Sequence, residues 1–139
     1  MLRLYFGHPI NVYGTDLECR LLECIARELP RWDVENPNQK HHQEGYRQYA
    51  RDYGKGMTYY FERVLPQCHG GIFLPFADGA WGKGVAGEAQ WLFNKNLPIW
   101  KIDHLGAVTH LTSLKSVRIL TVEETRVRIR KPSGELIPY

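Results

Sequence analysis

The segment GGIFLPFADGAWGKGVAGEAQWLFNKNLPIWK, residues 70–101, constrains the fold more than any other part of the chain. Residues 70–76 are almost wholly apolar, which predicts a strand buried on both faces of a parallel sheet. Residues 77–84 contain three glycines and predict a loop. Helical periodicity begins at Val85, and residues 97–102 predict the next strand. This order defines a βαβ unit, whose loop lies where open α/β sheets build their sites.

Glu88 follows the loop of this unit, and the pattern places it in the first turn of the helix. The free N–H groups and the positive end of the helix dipole stabilise an ionised carboxylate there. An ionised carboxylate suits a nucleophile or a group that stabilises positive charge. The simpler interpretation is that Glu88 only complements the dipole, as acidic residues in first turns commonly do, and the pattern alone favours it.

A similar unit is predicted at the start of the chain. Residues 2–6 form the expected first strand, which Gly7, His8 and Pro9 interrupt. Thr15 and Glu18 make a capping box that predicts a helix, and residues 32–34 predict a second strand. If the strands are parallel, the Gly7–His8 loop lies at the same sheet edge as the loop before Glu88.

The expected fold is one α/β domain spanning residues 1–139, with a doubly wound, largely parallel five-stranded sheet of Rossmann-like or flavodoxin-like type. Residues 117–121 predict the fifth strand. Alternation over residues 126–131 and a turn before residues 136–139 predict a C-terminal edge hairpin. The alternative for that stretch is a helix that begins at the capping box formed by Thr121 and Glu124.

Residues 35–56 are polar and predict a long loop with a turn or two of helix. Its tyrosines could stack on a flat base, although core packing or a subunit contact is the commoner use of such rings. The adjacent His41 and His42 have no other ligand at a metal-binding spacing, so we expect two solvated loop histidines and no metal site. Residues 58–68 predict a further helix, which Pro66 ends.

Composition excludes several classes of protein. No apolar run approaches the roughly 18 residues of a membrane span, and the N-terminus lacks a signal-peptide pattern, so we expect no membrane association. An odd number of cysteines, three, indicates reduced thiols and a cytoplasmic location. The net charge of +3 is too small to indicate binding to a nucleic acid polymer.

The glycine-rich loop is suited to an anion. Gly82, Gly84 and Gly87 allow close backbone approach, the helix N-terminus supplies N–H groups, and Lys83 adds a charge. An equal alternative is that these glycines only make a tight turn. The spacing does not match a dinucleotide fingerprint, and we expect no cofactor.

Three segments together, LYFGHPI at residues 4–10, GGIFLPF, and GKGVAGEAQWLFNKNLPIW, resemble the nucleoside 2-deoxyribosyltransferase superfamily, which includes nucleotide N-glycoside hydrolases. The resemblance covers most of residues 2–102 and is clear at the two ends of that range. It implies cleavage or transfer at the N-glycosidic bond of a nucleoside or nucleoside 5′-monophosphate. It also implies a homodimer or higher homo-oligomer, in which one subunit reaches the site of its neighbour.

The resemblance assigns roles to individual residues. Glu88 would stabilise the positive charge that develops on the sugar or trap it as a glycosyl ester. Tyr5 would position Glu88 or the sugar through its hydroxyl. Asp78 would hydrogen-bond the sugar or protonate the departing base. The resemblance also places Gly82 where a small residue contacts phosphate or sugar. With the two loops at this sheet edge, the expected substrate-binding set is Gly7, His8, Gly82, Lys83 and Gly84.

The chain also departs from the family pattern. The family commonly has an Asp on the helix before the strand that leads to the glycine loop, and Phe61 aligns best with that position here. This difference leaves the sugar, the base and catalysis itself open. The alternative function is a nucleotide-sensing module that kept the pocket but lost turnover.

Overall fold

The computed structural model describes residues 1–139 and is built around a five-stranded sheet with strand order β2-β1-β3-β4-β5. The first four strands of that order pair in parallel, and β5 runs antiparallel to β4. The predicted doubly wound, largely parallel α/β fold is therefore confirmed. The strands are β1 (Leu2–Gly7), β2 (Trp32–Glu35), β3 (Gly70–Phe73), β4 (Ile99–Ile102) and β5 (Val108–Leu111).

Four α-helices connect or flank these strands: α1 (Asp16–Glu28), α2 (Lys40–Tyr53), α3 (Lys83–Asn94) and α4 (Val122–Ile129). A short π-helix, Tyr60–Val64, and a 3₁₀ turn lead from α2 into β3. None of these helices combines the length and apolar character needed to cross a membrane.

Successive side chains of β1 point to opposite faces of the sheet, so alternate residues pack against different helices. Leu4 and Phe6 pack in the same cluster as Leu21 of α1. Tyr5 points to the opposite face and packs in a cluster with Leu92 of α3. The sequence order of β1 thus places the Tyr5 hydroxyl on the α3 side of the sheet.

The chain reverses its direction of winding at β1, which lies between β2 and β3. Loops that leave neighbouring strands in opposite directions open a crevice at their carboxyl ends, where ligands bind in sheets of this type. At this point β1 runs into the Gly7–His8 turn, and β3 runs into the loop that precedes α3.

The middle of the chain differs from the prediction of a long loop. Residues 40–53 form the 14-residue helix α2, which ends at Gly54 in the left-handed conformation, with φ of 71°. His42, Tyr46, Tyr49 and Tyr53 recur at helical spacing and so share one face. The polar composition hid this periodicity, because the face is aromatic and histidine-containing rather than aliphatic.

The C-terminal prediction is also wrong in part. The fifth strand is Val108–Leu111 and not residues 117–121, and the predicted edge hairpin is instead helix α4 followed by a single bridge between Arg130 and Leu136. The alternative interpretation was correct at this point. The Thr121 hydroxyl accepts from the Glu124 N–H at 3.1 Å, and the Thr121 N–H donates to the Glu124 carboxylate at 3.0 Å.

Candidate active site at the carboxyl ends of β1 and β3

A cavity of about 500 Å³ occupies the crevice at the carboxyl ends of β1 and β3. Its wall combines residues that are distant in sequence: the turn after β1, the face of α2, the start of α3, and the segment from α4 to Leu136. The volume is within the range of ligand pockets in proteins. Glu88 and Tyr5 both line it.

The central feature of the cavity is a hydrogen bond between two buried side chains. The Tyr5 hydroxyl donates to Glu88 Oε2 at 2.5 Å, and the two residues are 1% and 4% exposed. Glu88 Oε1 accepts no hydrogen bond from the protein. It is nevertheless not fully buried, because Asn11 Oδ1 is the one fully buried side-chain polar atom without a hydrogen-bond partner. Glu88 Oε1 therefore opens on the cavity, while Tyr5 holds the other oxygen.

Burial raises the pKa of Glu88 from an ordinary 4.5 to about 8, and the hydrogen bond from Tyr5 only partly offsets this. This result overturns the expectation that the helix dipole would favour the ionised form. Helix α3 begins at Lys83 and not at Val85, so Glu88 lies in the second turn, beyond the strong part of the dipole. The same burial, with the nearby Glu88 charge, raises the pKa of Tyr5 well above its usual value.

Gly7 lies directly against the carboxylate. A Cβ at this position would be 3.2 Å from Glu88 Oε1 and 2.6 Å from the Phe73 ring. Glycine is thus required for the backbone of β1 to pass this close to the carboxylate. In this structure Gly7 shapes the site and is not among the residues that line the cavity.

His8 lines the cavity, but both of its ring nitrogens already have protein partners. Nδ1 lies 3.0 Å from the Phe6 carbonyl oxygen, and Nε2 lies 2.7 Å from Glu18 Oε2. Burial raises the pKa of Glu18, but hydrogen bonds from His8 and Asn38 outweigh burial and hold that pKa below its usual value. His8 can therefore offer a ligand only the edge or face of its ring.

The start of α3 supplies backbone N–H groups beside the cavity. Gly82 and Gly84 line it, whereas the Lys83 side chain is exposed and does not. The Lys83 N–H donates to Thr125 Oγ1 at 3.0 Å, and the first helical bond runs from Ala86 to Gly82. The N–H groups of Gly84 and Val85 therefore remain available.

Asp78 lies outside the cavity. Arg128 Nη1 and Nη2 each donate to one oxygen of its carboxylate at 2.8 Å. This bidentate pair, with the N–H of Ala80, holds the pKa of Asp78 below its usual range. The carboxyl group is 48% exposed and paired on the surface, so the structure does not bring it together with Glu88 and Tyr5.

Sequence reasoning missed most of the cavity wall. Three tyrosines line it, Tyr13, Tyr46 and Tyr60, and burial raises the pKa of Tyr13 and of Tyr60 above the usual value. Two exposed arginines, Arg47 and Arg130, complete one side. Helical spacing of aromatic residues in α2 could have indicated Tyr46, but nothing local marked Arg130, which the fold brings in from the C-terminus.

Phe61 stands where the resemblance leads one to expect an Asp. Its side chain packs against the core cluster on the α3 side of the sheet, and a Cβ on Gly87 would lie 3.7 Å from its ring. It does not line the cavity. The position is therefore a packing position in this chain.

A second polar cluster forms outside this cavity. His42 is buried on α2, with Nε2 2.5 Å from Glu35 Oε1 and Nδ1 2.7 Å from the Tyr59 hydroxyl. The interpretation of His41 and His42 as two solvated loop histidines is wrong for His42, although His41 is exposed. Two causes combine here: helix α2 is hidden by its polar composition, and only the fold brings Glu35 beside His42.

Comparison with known proteins does not assign the chain to a family: no family model, no curated protein and no solved structure matches it. The class defined by the fold is a doubly wound α/β protein with a cavity at its topological switch point. Such folds carry many functions, so the function must be argued from the chemistry of the site.

Proposed function

We propose that this protein cleaves or transfers the N-glycosidic bond of a nucleoside or nucleoside 5′-monophosphate, with Glu88 as the carboxylate nucleophile. The observation that carries the proposal is the buried hydrogen bond of 2.5 Å from Tyr5 to Glu88, beside a cavity of about 500 Å³. A carboxylate held by one oxygen and free at the other is suited to attack a sugar carbon.

The chemistry of the bond favours such a group. Positive charge develops on the anomeric carbon and ring oxygen as the base departs, and a carboxylate below the sugar stabilises it or closes on it as a glycosyl ester. Water or a second base then attacks the ester and regenerates the carboxylate. Electrostatic stabilisation is strong here because Glu88 and Tyr5 are almost fully removed from solvent.

The raised pKa of Glu88 sets a condition on this mechanism. With a pKa of about 8 in the free protein, most molecules carry a protonated Glu88 at neutral pH. The fraction with a reactive carboxylate rises with pH, so the rate should rise with it. Positive charge on a reacting sugar favours the ionised form and opposes the effect of burial.

The cavity wall supports a nucleotide as the substrate. The rings of Tyr13, Tyr46 and Tyr60 offer apolar faces to a planar base. Arg47, Arg130 and the free N–H groups at the start of α3 offer charge and donors to a 5′-phosphate. Lys83, the positive charge that the sequence offered for this role, does not line the cavity, and the arginines replace it in the proposal.

We include a second copy of the chain in the proposal. Tyr46 and Met57 line the Glu88 cavity and are 38% and 37% exposed, and Tyr53, further along α2, is 68% exposed. Exposed aromatic and methionine side chains beside a cavity are suited to a two-fold contact that would cover the ligand. A mass twice the 16.2 kDa of one chain, or more, by light scattering would support the contact, and the mass of a single chain would refute it.

The alternative function is a nucleotide-sensing module without turnover, and one observation favours it. Asp78 is paired with Arg128 outside the cavity, and Glu88 is the only carboxylate that lines the cavity. No second carboxyl group is therefore in place to protonate a departing base. A sensor would bind the nucleotide by the same rings and arginines and would release no base.

The test is release of free base from a panel of nucleosides and nucleoside 5′-monophosphates. We expect release by the wild type and its loss in Glu88→Gln, which keeps the shape of the side chain but removes the charge. Glu23→Gln, at an exposed position on α1, is the matched control and should keep full activity. Saturable binding without release would favour the sensor, and equal release by wild type and Glu88→Gln would refute Glu88 as nucleophile.

A further inference from the structure

A second cavity, of about 490 Å³, also borders α2 but shares no lining residue with the Glu88 cavity. Glu35 ends β2 at its carboxyl end, and His41 and His42 stand in the first turn of α2. One potential ligand atom from each of these three residues lies within 4.8 Å of the others. The topology of the sheet edge thus gathers a carboxylate and two imidazoles at one wall of this cavity.

The pair formed by Glu35 and His42 has the geometry of two ligands that share a proton. Glu35 Oε1 and His42 Nε2 are both electron-pair donors and lie 2.5 Å apart, so one proton must lie between them. A cation with ligand bonds of about 2.0–2.1 Å in tetrahedral geometry would replace that proton and move the two atoms to roughly 3.3 Å apart. The required movement is less than 1 Å.

Tyr59 fixes the orientation of the His42 ring. Its hydroxyl lies 2.7 Å from Nδ1, which directs Nε2 towards Glu35 and the cavity. Histidines that bind metals nearly always use the second ring nitrogen in a hydrogen bond of this kind, because the bond fixes the tautomer and the ring plane. His42 is 5% exposed, so this orientation is also held by packing.

His41 completes the group. Its ring centroid lies 4.0 Å from that of His42, it is exposed, and it makes no hydrogen bond or ion pair with the rest of the protein. The imidazole is therefore free to turn towards an ion without breaking a side-chain hydrogen bond or an ion pair. The exposed position also gives the ion a path from solvent.

We propose that Glu35, His41 and His42 bind one Zn²⁺ ion, a function separate from the chemistry at Glu88. Two imidazoles and one carboxylate suit Zn²⁺, whereas Mg²⁺ and Ca²⁺ prefer sites made of oxygen ligands. Three protein ligands leave a fourth position that faces the cavity. Arg3 and Arg63 also line this cavity and favour an anion or hydroxide at that position, because their positive charges oppose a bare cation.

The test is direct metal binding to the full chain after treatment with a chelator. We expect one Zn²⁺ per chain in competition with a chromophoric chelator, and one Co²⁺ with the strong visible absorption of a four-coordinate site. A bound Co²⁺ without a thiolate charge-transfer band would distinguish this site from binding by the exposed Cys19.

Variants assign the ligands. His41→Ala changes an exposed side chain and should fold normally, and Glu35→Gln keeps the shape of its side chain. Each should weaken Zn²⁺ binding at least tenfold. His110→Ala, an exposed histidine on β5, is the control and should bind Zn²⁺ as the wild type does. Absence of binding in the wild type, undiminished binding in both ligand variants, or loss of binding in Cys19→Ser would overturn the proposal.

Discussion

Replacement of Glu88 by Gln should stabilise this protein, and the gain should grow with pH. The folded-state pKa of Glu88, about 8, exceeds the unfolded value of 4.5 because burial penalises the charge. The folded protein therefore binds more protons than the unfolded chain between these two values. The contribution of Glu88 to stability is accordingly largest below pH 4.5 and falls as pH rises towards 8, whereas a neutral Gln contributes no such dependence.

The magnitude follows from the size of the pKa shift, since one pKa unit corresponds to about 1.4 kcal/mol. The quantity of interest is the unfolding free energy of Glu88→Gln minus that of wild type. At pH 7 this difference should exceed its value at pH 4 by about 3 kcal/mol. Above pH 8 the growth should level off near 5 kcal/mol, an order-of-magnitude figure. The change with pH is the informative quantity, because any fixed difference in packing between Glu and Gln cancels.

The assay is urea unfolding of both proteins at several pH values, with equal m-values as the check that both unfold in the same way. Glu18→Gln is the matched control, because the folded-state pKa of Glu18 is lowered below 4.5. That variant should lose stability relative to wild type only as pH rises towards 4.5, and the difference should stay constant above that pH, where the Glu88 effect develops. A difference between Glu88→Gln and wild type that stays constant from pH 4 to pH 9 would refute the argument. Glu88 would then be ionised at neutral pH in the folded protein.

Four further outcomes are expected. Tyr5→Phe removes the donor to the buried carboxylate and should cost about 1.5–3 kcal/mol above pH 8 but less at pH 4, by the same unfolding assay. Gly7→Ala, with a Cβ 2.6 Å from a phenylalanine ring, should destabilise by about 1–3 kcal/mol, whereas Gly82→Ala, whose nearest neighbour is 3.4 Å away, should not. Asp78→Asn should leave base release unchanged, and a large loss of turnover in a folded variant would return this residue to the mechanism. If the Glu88 carboxylate attacks the sugar, kcat/KM should rise with a midpoint near pH 8, and a fall over that range would indicate a general acid instead.

The sequence predicted those parts of the fold in which local pattern and final environment agree. The apolar runs at β1, β3 and β4 do form parallel strands, and the Thr15 hydroxyl does cap α1 by accepting from the Glu18 N–H. The capping box is only half formed, because the Glu18 carboxylate accepts from the Gly14 N–H and lies against His8 instead of closing on Thr15. These signals are local and strong: strand burial follows from composition and the helix start from one hydrogen bond. The same reasoning placed Tyr5 and the Glu88 loop at one sheet edge, where the structure joins them by a hydrogen bond.

The failures lie where a local pattern permits two structures and a distant contact decides between them. Residues 126–131 alternate as a strand does, yet they also contain helix formers behind a capping box. In the structure this stretch begins as the end of helix α4, where the Arg128 guanidinium forms an ion pair with Asp78. That long-range pair cannot be inferred from either segment alone, and it also removes Asp78 from the set of candidate catalytic groups.

The protonation of Glu88 shows the same limit most clearly. From the sequence, the helix dipole was the only visible influence, and it favours an ionised carboxylate by about 0.3–1 kcal/mol. Burial acts in the opposite direction and, at a pKa of about 8, outweighs the dipole several-fold. That burial depends on packing of the Tyr5 and Tyr60 rings and on the close passage of Gly7, which come from segments far from α3. A sequence pattern can thus place a carboxylate at a sheet edge, but its charge depends on which distant side chains cover it.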